Sequence, residues 1–186
     1  REIASFFGSP MAYIVIAVWL VVAGASFDFI VRYFAESASG GASDTPLRGW
    51  FQMPLIYIAM LIFAPILTMR TLADEKQTGR IEGLLTAPVS PVAIVLGKYL
   101  ASLVFWLSLW APTLFYIFIL SRYGDVDRGA VLSACLGVFF LGVGYMAVGV
   151  LASALANSQT VAAVLATLAL AGTFVLGLGE YIASDA

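Results

Sequence analysis

Charged side chains, the groups in this chain best suited to bind a partner, are concentrated in one short segment. Of the twenty charged residues (nine basic and eleven acidic), seven fall between positions 70 and 98. Such a segment is too charged to lie in the centre of a lipid bilayer, but it can form ion pairs or contact another protein. The seven are Arg70, Asp74, Glu75, Lys76, Arg80, Glu82 and Lys98.

The chain carries few of the groups that catalysis requires. It has no His and one Cys, Cys135, so His bases, His ligands and Cys-rich metal sites are excluded. The run Gly97-Lys98-Tyr99 lacks the other residues of a phosphate-binding loop. Four serines in apolar segments are expected to donate to carbonyls of their own helices. They are Ser102, Ser108, Ser133 and Ser153. We therefore expect no enzyme activity, metal or cofactor in this chain.

The composition indicates a protein of the lipid bilayer. Of the 186 residues, 62% are hydrophobic and only 11% are charged, whereas soluble domains carry about 25% charged residues. A net charge of −2 with nine basic residues argues against nucleic-acid binding. The fold class predicted from this composition is an all-α polytopic membrane helix bundle, forming a single transmembrane domain over residues 1–186.

Runs without Asp, Glu, Lys or Arg locate the membrane spans, because about 20 helical residues cross a bilayer. The last such run, 129–179, has room for two spans and is interrupted by polar residues at 156–159. The absence of ionisable residues at the span centres also argues against an ion-coupled carrier. Five spans are predicted, at about 10–30, 50–69, 99–121, 130–155 and 160–178.

The distribution of basic residues predicts the orientation. Five basic residues lie on the side that contains positions 70–98 and four on the other side, so the positive-inside rule places the first side, with the N-terminus, in the cytoplasm. Ile3, Phe6 and Phe7 have helical spacing and predict an interfacial helix over residues 1–9.

Residues 71–90 join the second and third spans on this cytoplasmic side. Ile81, Leu84 and Leu85 follow the spacing of one helix face, and Pro88 ends the predicted helix. Such an amphipathic helix can rest on lipid or insert into a groove of a partner protein. Lys98 lies on the following helix, just before the third predicted span, and is expected to extend its amine to the lipid head groups.

Residues 71–90, which we call the coupling region, resemble the cytoplasmic motif of ABC-2-type transporter permeases. The resemblance rests on Glu75-Lys76-x-x-Gly79-x-x-Glu82-x-Leu84-Leu85-Thr86-x-Pro88. It extends to the start of the chain, at Phe6-Phe7-x-Ser9-Pro10, to Pro65-x-x-Thr68-Met69-Arg70 and to Leu96-Gly-Lys-Tyr99. Within this family, the small permeases of the gliding-motility-associated and copper-processing type are the most similar.

The resemblance implies a permease subunit that is moved by a separate ATPase. An amphipathic coupling helix between spans 2 and 3 would dock on cytoplasmic ATPase subunits, which would bind the ATP and Mg. A second permease subunit, identical or homologous, would complete the transporter, which would act as an exporter in a bacterial inner membrane. The implied contact residues are Glu75, Lys76, Gly79, Arg80, Glu82, Leu84, Leu85 and Pro88.

Two features depart from the family pattern. Arg80 stands where the family often has Thr, and this difference would alter the contacts at the edge of the implied ATPase interface. The family has six spans and five are found here, so a sixth is expected after Ala186. The alternative function is a non-transporting membrane scaffold or assembly subunit that recruits a cytoplasmic partner through the same helix.

Overall fold

Eight helices make up the part of the chain that the structure describes. A computed structural model describes residues 7–37, 46–51, 53–79, 90–123 and 128–184. The helices, numbered in chain order, are α1 Pro10–Ser37, α2 Pro46–Phe51, α3 Pro54–Thr68, α4 Ala73–Gln77, α5 Pro91–Trp110, α6 Thr113–Tyr123, α7 Arg128–Leu155 and α8 Gln159–Ser184.

Five stretches are long and apolar enough to cross a membrane, which confirms the predicted all-α polytopic class. They run over Pro10–Ala35, Pro54–Gln77, Pro91–Arg122, Arg128–Leu155 and Gln159–Leu176. The third begins well before the predicted residue 99 because Lys98 lies inside α5 instead of ending a span. Of the predicted interfacial helix 1–9, residues 1–6 lie outside the described part.

Local signals in the sequence explain several helix ends. Ser9 and Ser90 precede Pro10 and Pro91, and each serine hydroxyl accepts a backbone hydrogen bond from the first turn of its helix. Proline at the first helical position costs no hydrogen bond, because that N–H would have no partner within the helix. A break at residues 156–158 separates α7 from α8, as the polar interruption predicts.

The chain divides into two compact units. The first comprises residues 3–60 and 104–142, and its centre is aromatic. Trp50 and Trp106 are fully buried, and the Trp110 ring lies 4.9 Å from that of Trp19 and 6.3 Å from that of Trp50. The Trp50 indole N–H donates to the buried Ser26 hydroxyl at 2.9 Å. Rings of this size bury a large apolar area, and this hydrogen bond satisfies the polar end of Trp50.

The second unit comprises residues 61–103 and 143–186 and is built from smaller side chains. Ala73 of α4, Ala156 between α7 and α8, and Ala162 of α8 form a buried cluster. Gly149 of α7 lies against Thr68 at the end of α3, so close that a Cβ on the glycine would fall 2.2 Å from the threonine Oγ1. Small residues allow helices to approach closely in lipid. Here they bring α4 against the junction of α7 and α8.

Candidate functional site

The short helix α4 begins the coupling region and is where the candidate site can be described. Asp74 and Glu75 lie in its first turn and Lys76 in its last. This arrangement suits the partial charges at helix ends. Gly79 follows with a φ of 70°, and its N–H donates to the Lys76 carbonyl at 3.2 Å. A left-handed glycine just beyond the last turn is a common way to end a helix, since other residues are strained there.

A serine from a distant helix caps the N-terminus of α4. The hydroxyl of Ser153, in α7, accepts hydrogen bonds from the N–H groups of Leu72 and Ala73, each at 3.0 Å. It lies 3.3 Å from the Met69 carbonyl, to which it donates. The first N–H groups of a helix have no partner within it, and Leu72 supplies no side-chain cap. Ser153, itself fully buried, therefore satisfies donors that α4 cannot satisfy locally.

Two further contacts join α4 to the ends of α7 and α8. The Lys76 ammonium donates to the carbonyl of Ala154, near the C-terminus of α7, where carbonyls lack helical partners and a cation is favoured. The Gln159 amide, in the first residue of α8, donates to the Asp74 carboxylate at 2.6 Å. Together with the Ser153 cap, these bonds connect α4 to both sides of the α7–α8 junction.

An ion pair connects α4 to α5. The Lys98 ammonium lies 2.6 Å from Glu75 Oε1, and the two side chains are only 5% and 18% exposed. The Lys98 chain is thus buried, and the expectation that it reaches the head groups is wrong. The physical reason is that Glu75 offers the ammonium a partner within the protein. Among the described residues, Glu75 Oε2 is buried without a hydrogen-bond partner.

We call the side chains that make these contacts the α4 cluster. Their hydrogen bonds and ion pair attach α4 to α5, α7 and α8. A buried ion pair is costly to break, because removing one partner leaves the other charge uncompensated. Among the described residues, no group of three or more His, Cys, Asp or Glu is placed to hold a metal ion. The α4 cluster comprises Asp74, Glu75, Lys76, Lys98, Ser153 and Gln159.

The structure describes the beginning of the predicted ATPase contact. Glu75 and Lys76 bind partners within the chain, whereas Gly79 is exposed and ends α4. Gln77 and Thr78 are exposed as well, so the chain reaches the surface just before the predicted amphipathic helix. The other predicted contact residues lie outside the described part. They are Arg80, Glu82, Leu84, Leu85 and Pro88.

Sequence reasoning missed the roles of three members of the α4 cluster. Ser153 was expected to bond the preceding turn of its own helix, as Ser102, Ser108 and Ser133 do. Instead it faces α3 and α4. Lys98 was expected in the head groups, and Gln159 was assigned only to a turn. One available signal was charge balance, since Asp74 and Glu75 lie between the same two candidate spans as Lys98.

Comparison with known proteins assigns the chain to a family. Residues 13–182 match the family model described as ABC-2 family transporter protein, which covers all five candidate spans except the first turn of the first. No curated protein matched the chain, and no solved structure did so either. With a match over most of its length and five stretches able to cross a membrane, the chain belongs to the ABC-2 family of transporter proteins.

Proposed function

We propose that the chain is the transmembrane permease subunit of an ATP-driven ABC-2-type exporter, moved by a separate ATPase subunit. The observation that carries the proposal is the family match over residues 13–182. The exposed end of α4 adds support, because Gln77, Thr78 and Gly79 lead directly from a buried anchor into the predicted amphipathic helix. The proposed docking surface spans residues 75–88.

The remaining components belong to this proposal. ATP and Mg bind the partner ATPase, since this chain has no phosphate-binding loop. A second permease copy or homologue completes the transporter. The membrane is the bacterial inner membrane, with the N-terminus in the cytoplasm. The finer likeness to gliding-motility-associated and copper-processing permeases rests on the motif of residues 75–90.

Association and ATP hydrolysis test the proposal together. The tagged chain is purified from its native membrane, bound ATPase subunits are identified, and hydrolysis by the complex is compared with that of the ATPase alone. Glu82→Ala and Leu84→Asp are expected to reduce both association and stimulated hydrolysis, because they remove a rim charge and an apolar anchor. Asp28→Ala, which alters an exposed acid of α1, is the matched control and should change neither.

Different results lead to different conclusions. If Glu82→Ala and Leu84→Asp leave association and hydrolysis intact, the coupling-helix assignment is wrong. A partner that binds through this region but shows no ATP hydrolysis would favour the scaffold function instead. A reporter fused after Pro88 is expected to report the cytoplasm, and a signal from the opposite compartment would overturn the orientation.

A further inference from the structure

We propose that the α4 cluster positions the coupling region for force transmission, carrying movement of residues 80–89 to the α7–α8 junction. The inference rests on the proposed function, because it assumes that an ATPase moves those residues. It also divides the docking segment into two parts. Glu75 and Lys76 hold the segment to its own chain, and the residues after Gly79 contact the partner.

The first argument is the number of independent helices that hold α4. Four of its five residues are bound by Lys98 of α5, Ser153 and Ala154 of α7, and Gln159 of α8. A single turn of helix is unstable by itself in water, since nucleation is costly. The tertiary contacts therefore define both the existence and the position of α4, and it has little freedom to move independently of α7 and α8.

The second argument is the reciprocity between α4 and α7. Ser153 of α7 supplies the cap for the N-terminus of α4, and Lys76 of α4 supplies a donor to the C-terminus of α7. Each helix thus satisfies backbone groups that the other leaves unpaired. A displacement of α4 alone would leave buried N–H groups and a carbonyl without partners, which is unfavourable. Displacing α4 and the α7–α8 junction together retains these bonds.

The third argument is the position of the α4 cluster between an exposed exit and a buried interior. On one side, the chain leaves α4 through the exposed residues Gln77 to Gly79. On the other side, Ala73 packs on Ala156 and Ala162, all three at most 2% exposed. Close-packed interiors transmit displacement because they are nearly incompressible. Movement applied at the exposed end therefore reaches α8 through this contact.

The test follows movement of the α7–α8 junction in the assembled complex. Asn157, an exposed residue of this junction, is replaced by Cys in a Cys135→Ala background, so that a spin label or fluorophore has one attachment site. The signal is recorded with the co-purified ATPase before and after adding ATP and Mg. Ser153→Ala and Lys98→Met are the test variants. Ser133→Ala is the control, because this exposed α7 serine donates to the Ala130 carbonyl of its own helix.

The expected result separates docking from transmission. Both test variants should retain ATPase association, while most of the nucleotide-dependent signal at position 157 is lost. The control should match the parent. A charge-swapped pair, Glu75→Lys with Lys98→Glu, should recover much of the signal lost in Lys98→Met, because it restores the ion pair. Recovery by the charge-swapped pair would show that the ion pair, and not the packing of the lysine side chain, carries the effect.

Three outcomes would overturn the inference. An unchanged signal in Ser153→Ala and in Lys98→Met would show that movement does not pass through the α4 cluster. Loss of ATPase association in Ser153→Ala would make this region part of the docking surface instead. If the parent chain binds no ATPase, the proposed function itself fails, and the inference falls with it.

A partner-independent measurement keeps the test decisive if Lys98→Met does not assemble. Hydrogen exchange of the Leu72 and Ala73 amides, both bonded to Ser153, should accelerate in Ser153→Ala and not in Ser133→Ala. Acceleration should extend to the start of α8 if α4 and the junction behave as one body. Acceleration confined to residues 72 and 73 would contradict that behaviour.

Discussion

The close approach of α3 and α7 makes a strong prediction about Gly149. A Cβ at this position would lie 2.2 Å from Thr68 Oγ1 and 2.7 Å from both Thr68 Cβ and Cγ2. Ordinary contacts between carbon atoms are about 3.5–4.0 Å. Rotating the threonine about its χ1 angle moves Oγ1 and Cγ2 but leaves Cβ in place. Gly149→Ala therefore forces the two helices apart, by roughly 1 Å.

The cost follows from how firmly Thr68 is held. Its side chain is fully buried, and its hydroxyl donates to the Ala64 carbonyl at 2.9 Å. Overpacking of a close-packed interior typically costs about 1–3 kcal/mol, and a clash that side-chain rotation cannot relieve belongs near the upper end. Gly144→Ala is the matched control in the same helix, because no atom of the described residues outside its own stretch of helix lies within 4 Å of its added Cβ. The control should gain up to about 1 kcal/mol from the better helix propensity of alanine.

Thermal unfolding of the purified protein in one detergent measures the difference. We expect Gly149→Ala to unfold at least about 6 °C below Gly144→Ala, given about 2–4 °C per kcal/mol for chains of this size. Adding Thr68→Ala to Gly149→Ala should recover part of the loss, since it removes Oγ1 and Cγ2 and leaves only the Cβ contact. Equal unfolding temperatures for the two glycine variants would refute the reasoning. So would a Thr68→Ala effect on the unfolding temperature that is the same in the parent and in the Gly149→Ala variant.

Three further substitutions test other parts of the molecule. Ser26→Ala leaves the buried Trp50 indole N–H without its acceptor and should lower the free energy of unfolding by about 1–3 kcal/mol, measured by chemical denaturation. Ser133→Ala, at an exposed serine of α7, should lower it little. Gly79→Ala places a Cβ at a φ of 70° and should lower stability by about 1 kcal/mol; Gly79→Asn, which tolerates this conformation better, should lower it less, and equal losses would argue against the strain. Lys98→Met should lower stability by about 3 kcal/mol by stranding Glu75, while Lys98→Met with Glu75→Leu should come close to the parent; a double variant as unstable as the single one would show that the pair is not the cause.

The membrane class was predictable because lipid constrains the composition of each short stretch of sequence that crosses it. A helix must place about 20 consecutive apolar residues in the bilayer, and charge-free runs show where this is possible. The predicted break at 156–159 is found at 156–158, and the serine–proline pairs at positions 9–10 and 90–91 lie at the starts of two helices. Each of these features depends on neighbours in sequence, which the chain displays directly.

The attachments of α4 were not predictable in the same way. Ser153 lies 80 residues from Ala73, and Gln159 lies 85 residues from Asp74. Serine in an apolar helix usually bonds its own preceding turn, and nothing in its local spacing marks Ser153 as an exception. Lys98 was misplaced for a related reason, since a lysine near a span end is attracted both to head groups and to a buried carboxylate.

The composition and the charge pattern of the chain were enough to predict an all-α membrane protein with five candidate spans and a charged segment between the second and the third. Solvent preference, helix length and local caps depend on residues that are close together in the sequence, so they can be predicted from it directly. The partners of the charged and polar side chains became known from the tertiary structure. It buried Lys98 against Glu75, placed Ser153 at the N-terminus of α4 and joined Asp74 to Gln159. Such pairings depend on which helices pack together. Packing depends on the fit between side chains that are far apart in the sequence, so the local spacing of residues does not reveal it.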